Sequence, residues 1–138
     1  AETDPAALVL VDRLWRALDA DVEHMTVERH DEVLAATSHL PHLLAFAMMQ
    51  SVLNQPNADE VLSLAGPGFR DFTRIASSHP AIWTDICMAN RQSLLDLIEG
   101  QYQQLARVQA MLEAGDSDGL YRYFEEAKQT RDDWLDKQ

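Results

Sequence analysis

Apolar side chains recur along this chain at the three-and-four spacing of amphipathic helices almost from end to end. Asp4-Pro5 predicts a helix start, because a carboxylate caps the first turn and proline there lacks only an N–H that no helix uses. Leu8, Val11, Leu14, Trp15 and Leu18 carry that helix to about Asp19. Asp21 to Met25 alternates weakly and suits an edge strand or an extended linker, so the first 25 residues read as the helix-strand tail of an α/β unit. From Thr26 to about Asn54 the period is helical again, with Val33, Leu34, Leu40, Leu44, Met48 and Val52 on one stripe. Pro41 interrupts this central helix. It has no proton to give the Thr37 carbonyl and its ring crowds that oxygen, so a kink is expected there.

Beyond Asn54 the breaks are supplied by turn residues. Asn54 to Asn57 separates a short helix at 58–65, Gly66-Pro67-Gly68 opens another at Phe69, and His79-Pro80 resets the chain. One long helix is expected from Pro80 to Glu113, with Trp83, Ile86, Leu94, Ile98, Leu105 and Leu112 along it, and a last one from Leu120 to Leu135. The result is an all-α domain of about five to six helices over residues 26–138 with a kinked central helix. The apolar stripe of the long helix exceeds what so small a domain needs for itself, which points to a second copy of the chain as its cover and hence to a homodimer.

Composition narrows the function classes. With 46% apolar residues in 138, the chain can build one core, and five glycines and five prolines are too few for a sandwich or barrel. A net charge of −12 argues against nucleic acid and anionic membrane as partners, since both are held by clustered Lys and Arg. Cys87 stands alone, which excludes an internal disulfide, and no apolar run approaches the roughly 20 residues that span a bilayer; a cytoplasmic location is expected. The chain opens on Ala1 without a basic-then-apolar leader, so Ala1 is read as a boundary inside a longer protein.

Two clusters could carry chemistry. His39 and His42 lie three apart beside Pro41, on one side of the helix. They could be metal ligands, but further His, Cys or carboxylate ligands at workable spacing are lacking, and no metal is expected. His30-Asp31 resembles the dyad of helical metal-dependent phosphohydrolases, whose remaining ligands cannot be picked out here. The second cluster is Gly66-Pro67-Gly68-Phe69-Arg70-Asp71-Phe72-Thr73-Arg74. Its helix start and two arginines suit a carboxylate, and Asp71, three before Arg74, could orient that arginine. Ordinary surface ion pairs are the alternative.

The segments HDEVLAATSHLPH, from His30 to His42, and GPGFRDFTRIASSHPAIWTDICMAN, from Gly66 to Asn90, resemble the C-terminal domain of prephenate and arogenate dehydrogenases. Both motifs occur in order and at the family's spacing, and the resemblance covers residues 1–113. It implies NAD- or NADP-dependent oxidative decarboxylation of prephenate or arogenate in tyrosine biosynthesis, performed by a full-length protein. The proton-accepting histidine and the nucleotide loop are expected in a preceding domain, because no GxGxxG follows a strand here. No catalytic residue is therefore expected in this chain, and alone it should be inactive.

Carried across residue by residue, the resemblance makes Arg74 the partner of a substrate carboxylate and His42 a hydrogen-bonding partner of substrate, with His39 supporting it. Asp71 and Trp83 fall near the pocket mouth, where an interlocked dimer brings in the other subunit, and Gly68 belongs to the substrate-side turn. Pro67 departs from the family, many of whose members carry a third glycine there, and stiffens that turn. Residues 1–25 would be the end of the missing nucleotide-binding domain and residues 26–138 the substrate-binding and dimerisation domain. The competing readings are a non-enzymatic helical module that dimerises or binds an aromatic amino acid, and a metal-dependent helical hydrolase.

Overall fold

The computed structural model describes residues 3–137. Among them the regular structure is entirely helical: α1 (Pro5–Arg16), α2 (Val27–Leu34), a π-helical segment (Ala35–His39), α3 (Leu40–Leu53), α4 (Ala58–Ser63), α5 (Pro67–Thr73), a 3₁₀ turn (Arg74–Ser77), α6 (Pro80–Ala89), α7 (Arg91–Ala114) and α8 (Ser117–Leu135). The chain divides into two compact units, one up to Val33 and one from Leu34 onward.

In the first unit, Asp4 caps α1 by accepting the Ala6 N–H at 2.9 Å, with Pro5 in the first turn, as the sequence predicts. The helix ends three residues earlier than its apolar stripe suggests. Asp19 adopts φ 59°, a left-handed conformation that no helix can continue through. Of the edge strand or extended linker expected at 21–25, the strand does not form. No ladder partner exists for it among the described residues, and side chains of α1 take its polar groups instead. Arg16 Nη2 donates to the Val22 carbonyl at 3.2 Å, and His24 Nε2 donates to Asp12 Oδ1 at 3.0 Å. Asp12 also receives Arg16 Nε at 3.0 Å, so one carboxylate ties the extended segment to the helix. The Arg16 bond, followed by the His24 bond, holds the Asp12 carboxyl below its ordinary value, and the same contact raises the Arg16 guanidinium.

In the second unit the kink expected at Pro41 takes a specific form. The turn before it widens by one residue into the π-helix, where the Leu40 N–H reaches the Ala35 carbonyl five residues back. A widened turn makes room for a ring that a regular helix would press against a carbonyl. Ala35 and Leu40 then meet Leu94 of α7 to form the core, with Leu44, Cys87, Leu97 and Ile98 packed around them. Burial pushes the Cys87 thiol up, as expected for a thiolate denied water.

Two boundaries differ from the sequence reading. The helix expected over 80–113 is broken at Asn90 (φ −107°, ψ 35°), which separates α6 from α7. The final helix starts three residues before Leu120, because Asp116 caps it through Gly119 N at 2.8 Å. Between α7 and α8, Gly115 at φ 65° lets its own N–H reach Leu112 and that of Asp116 reach Met111, a Schellman closure that satisfies the last carbonyls. α8 folds back on α7, where Tyr123 donates to Gln104 at 3.3 Å and Arg107 stands 5.4 Å over the Tyr123 ring. The extra breaks give more and shorter helices than the five to six expected, within the same all-α class.

Candidate functional site

The site grows out of the π-helix and α3. In the widened turn, the Nδ1–H of His42 donates to the Ser38 carbonyl at 3.0 Å. A carbonyl can only accept, so this bond places the proton of neutral His42 on Nδ1 and leaves Nε2 with its lone pair. The ring of His42 lies on the Trp83 indole, centroids 3.7 Å apart and planes 18° from parallel. His39 meets the same indole edge-on at 6.2 Å and 75°. α6 supplies Trp83, and its start is set by His79, whose Nδ1 accepts the Ala81 N–H, with Pro80 next.

Beside this stack lies an apolar cleft of about 380 Å³, lined by Leu43 and Phe46 of α3 and by Pro80, Trp83, Thr84, Cys87 and Met88 of α6. That volume holds a small aromatic molecule, and an apolar wall with polar groups at one side is the common construction of small-ligand sites. His39, His42 and Trp83, separated in the sequence, are thus brought together as one group.

Gly68, Asp71 and Arg74 are placed differently. All three are exposed, and none lines the cleft. α5 opens at Pro67, with Gly66 as its cap, so Gly68 sits inside the first helical turn and has nothing within 4 Å of where a Cβ would stand. Arg74 begins the 3₁₀ turn, which packs against α3, the helix that carries His42. The ion pair through which Asp71 could orient Arg74 does not form, and among the described residues Arg74 makes no ion pair. Here the side chains point outward from a short helix, where solvation is as favourable as pairing.

Asn90, which the sequence does not single out, joins this group in the structure. It is 7% exposed, and its Nδ2 donates to Nδ1 of His39 at 3.3 Å. Its position at the end of the second motif was the available signal. His30 pairs locally with Asp31 at 3.1 Å. No group of three or more His, Cys, Asp or Glu among the described residues is placed to hold a metal ion, and no helix among them is long and apolar enough to cross a membrane.

An imidazole pair braced on an indole at the rim of an apolar cleft thus sits in an all-α domain with large exposed apolar faces. Residues 26–126 match the family described as "Prephenate dehydrogenase, dimerization domain", and the chain belongs to that family. It is 34% identical over 132 residues to the prephenate dehydrogenase of Bacillus subtilis, and 31% identical over 133 residues to the cyclohexadienyl dehydrogenase of Zymomonas mobilis. Each alignment covers 95% of this chain but only 36% and 45% of the relative. The chain thus spans less than half the length of these relatives. Among solved structures it is similar to prephenate dehydrogenase from Aquifex aeolicus in complex with hydroxyphenyl propionate and NAD+. That match has a TM-score of 0.85 and 36% identity, over 95% of this chain and 46% of the other. The fold is shared also with Synechocystis arogenate dehydrogenase, at TM-score 0.82 and 24% identity over 96% of this chain and 49% of the other.

Proposed function

We propose that this chain is the substrate-binding and dimerisation part of a cytoplasmic NAD- or NADP-dependent dehydrogenase that oxidatively decarboxylates prephenate, or arogenate, in tyrosine biosynthesis. The observation that carries the reading is the His42–Trp83 stack at the rim of the apolar cleft. It agrees with the membership of the family and with the aromatic hydroxyphenyl propionate bound by the Aquifex relative.

In this reading the apolar wall of Phe46, Leu43 and Met88 takes the six-membered ring of the substrate, which is apolar on its faces. His42, with Nδ1 committed to Ser38, offers its lone-pair Nε2 as a hydrogen-bond acceptor for the substrate. A carboxylate leaving water for a site in a protein of net charge −12 needs a local cation. Arg74 supplies it with a planar fork that a lysine lacks. Closure of the site by a second copy would bring partner residues over Asp71 and Trp83. Loss of carbon dioxide makes the ring aromatic, so positioning and exclusion of water are the main tasks left to these side chains.

The residues present do not fit a dinucleotide. The only glycine-rich turn, Gly66-Pro67-Gly68, follows a helix and opens one of seven residues. The nicotinamide cofactor, which accepts the hydride, and the proton-accepting histidine are therefore assigned to a preceding domain, and this chain alone is expected to be inactive. The direct test is the full-length protein mixed with prephenate or arogenate and either cofactor, followed by absorbance of the reduced nicotinamide. Turnover of neither substrate with either cofactor rejects the proposal.

A further inference from the structure

We propose that Asn90 is a positioning residue for the imidazole pair: its amide fixes the proton of His39 on Nε2 and, through the edge contact of His39 with Trp83, holds the indole on which His42 is stacked. The consequence for substrate rests on the functional reading above; the structural statement does not.

Three observations carry it. Asn90 is the one buried polar residue among the described residues, and a buried amide is destabilising unless its hydrogen bonds are made. Second, Asn90 occupies the cap position of α7, where asparagine ordinarily turns its side chain onto its own helix, yet it makes no side-chain capping bond there. Its Nδ2 goes instead to His39, 51 residues away in the sequence. Third, an amide NH2 can only donate, so Nδ1 of His39 is the acceptor and the proton of the neutral ring sits on Nε2. His42 is held in the opposite tautomer, with its proton on Nδ1 by the Ser38 carbonyl. The two rings that share the Trp83 indole therefore present a proton on one Nε2 and a lone pair on the other.

The backbone of Asn90 is equally committed. Its N–H bonds to Ile86 of α6 and its carbonyl accepts from Leu94 of α7, so the side chain projects from a point fixed by both helices. The break that separates α6 from α7 is what frees this residue to face His39 rather than follow the helix.

The test uses Asn90→Asp, which keeps the shape but offers only acceptors, and Asn90→Ala, which removes the bond without reversing it. Nitrogen-15 NMR of the histidine rings in this 138-residue chain at neutral pH distinguishes protonated from lone-pair nitrogens, with His39 assigned by its loss in His39→Gln. The parent is expected to show a lone pair on Nδ1 and a proton on Nε2. Asn90→Asp should move a proton to Nδ1, and Asn90→Ala should give a mixture. In the full-length enzyme, Asn90→Asp should lower kcat/KM for prephenate by about tenfold, the worth of one reversed hydrogen bond, with KM for the nicotinamide cofactor unchanged. A parent His39 protonated on Nδ1, or an Asn90→Asp spectrum identical to the parent, overturns the proposal. So does an equal loss of activity in both variants with no change of tautomer, which would make Asn90 a packing residue only. If the full-length parent oxidises neither prephenate nor arogenate, the functional reading fails while the NMR result still decides the role of Asn90.

Discussion

His42 lies flat on Trp83, ring centroids 3.7 Å apart and planes 18° from parallel. A histidine held both by this stack and by its Nδ1–H bond to Ser38 has little rotational freedom left, so its Nε2 is aimed before any ligand arrives. Trp83→Leu keeps an apolar wall but removes the stack. In the full-length enzyme it should raise KM for prephenate roughly fivefold, from the ~1 kcal/mol of an aromatic pair, and leave the fold intact by circular dichroism. An unchanged KM would show that the stack does not preorganise the site.

Arg74 is exposed in this chain and makes no ion pair among the described residues, so a carboxylate can reach it without displacing an internal partner. Arg74→Ala should raise KM for prephenate more than it lowers turnover. The loss should be on the order of 2–4 kcal/mol, typical of a desolvated charged hydrogen-bond pair. Arg74→Lys should recover only part, because an ammonium offers a point charge and not a fork. Binding as tight as in the parent would remove Arg74 from the site.

On α7, Tyr102, Leu105 and Leu112 are 64%, 63% and 62% exposed, and Tyr121, Phe124 and Trp134 are exposed on α8. Apolar surface of this extent on a small domain is uncommon unless something covers it. Association through α7 should make the chain a homodimer at micromolar concentration in sedimentation velocity. Leu105→Asp, which puts a charge on that face, should shift it toward monomer. A parent that sediments as a monomer contradicts the dimer.

The extended segment at 20–26 depends on Asp12. Arg16 and then His24 lower the Asp12 carboxyl below its ordinary 3.8. A folded-state value below the unfolded one means that the stabilisation is present above pH 3.8 and is lost as pH falls through the lower, folded value. Backbone NMR shifts of Val22 to His24 should therefore move toward unstructured values as pH falls through that lower value. Asp12→Asn should show the displaced shifts already at neutral pH, and equal shifts in the two proteins would mean that Asp12 does not hold the segment.

Much of the architecture is set by chemistry that acts within a few residues, and there the amino-acid sequence was sufficient. Asp4-Pro5 and His79-Pro80 start helices and Gly115 ends one, because caps and a left-handed glycine need no distant partner. Pro41 announces a disturbance for the same local reason, and the charge of −12 requires a local cation wherever an anion is to bind. Only tertiary structure decided that the disturbance is a π turn, that residues 21–25 pair with no strand among the described residues, and that the chain breaks at Asn90, where no proline or glycine marks it. The same is true of the site. Spacing alone put His39 and His42 on one side of a helix, but their tautomers depend on Asn90 and Ser38, and their orientation on an indole from another helix. Those contacts join residues far apart in the chain, and their geometry follows from how α3, α6 and α7 pack, which no local pattern encodes.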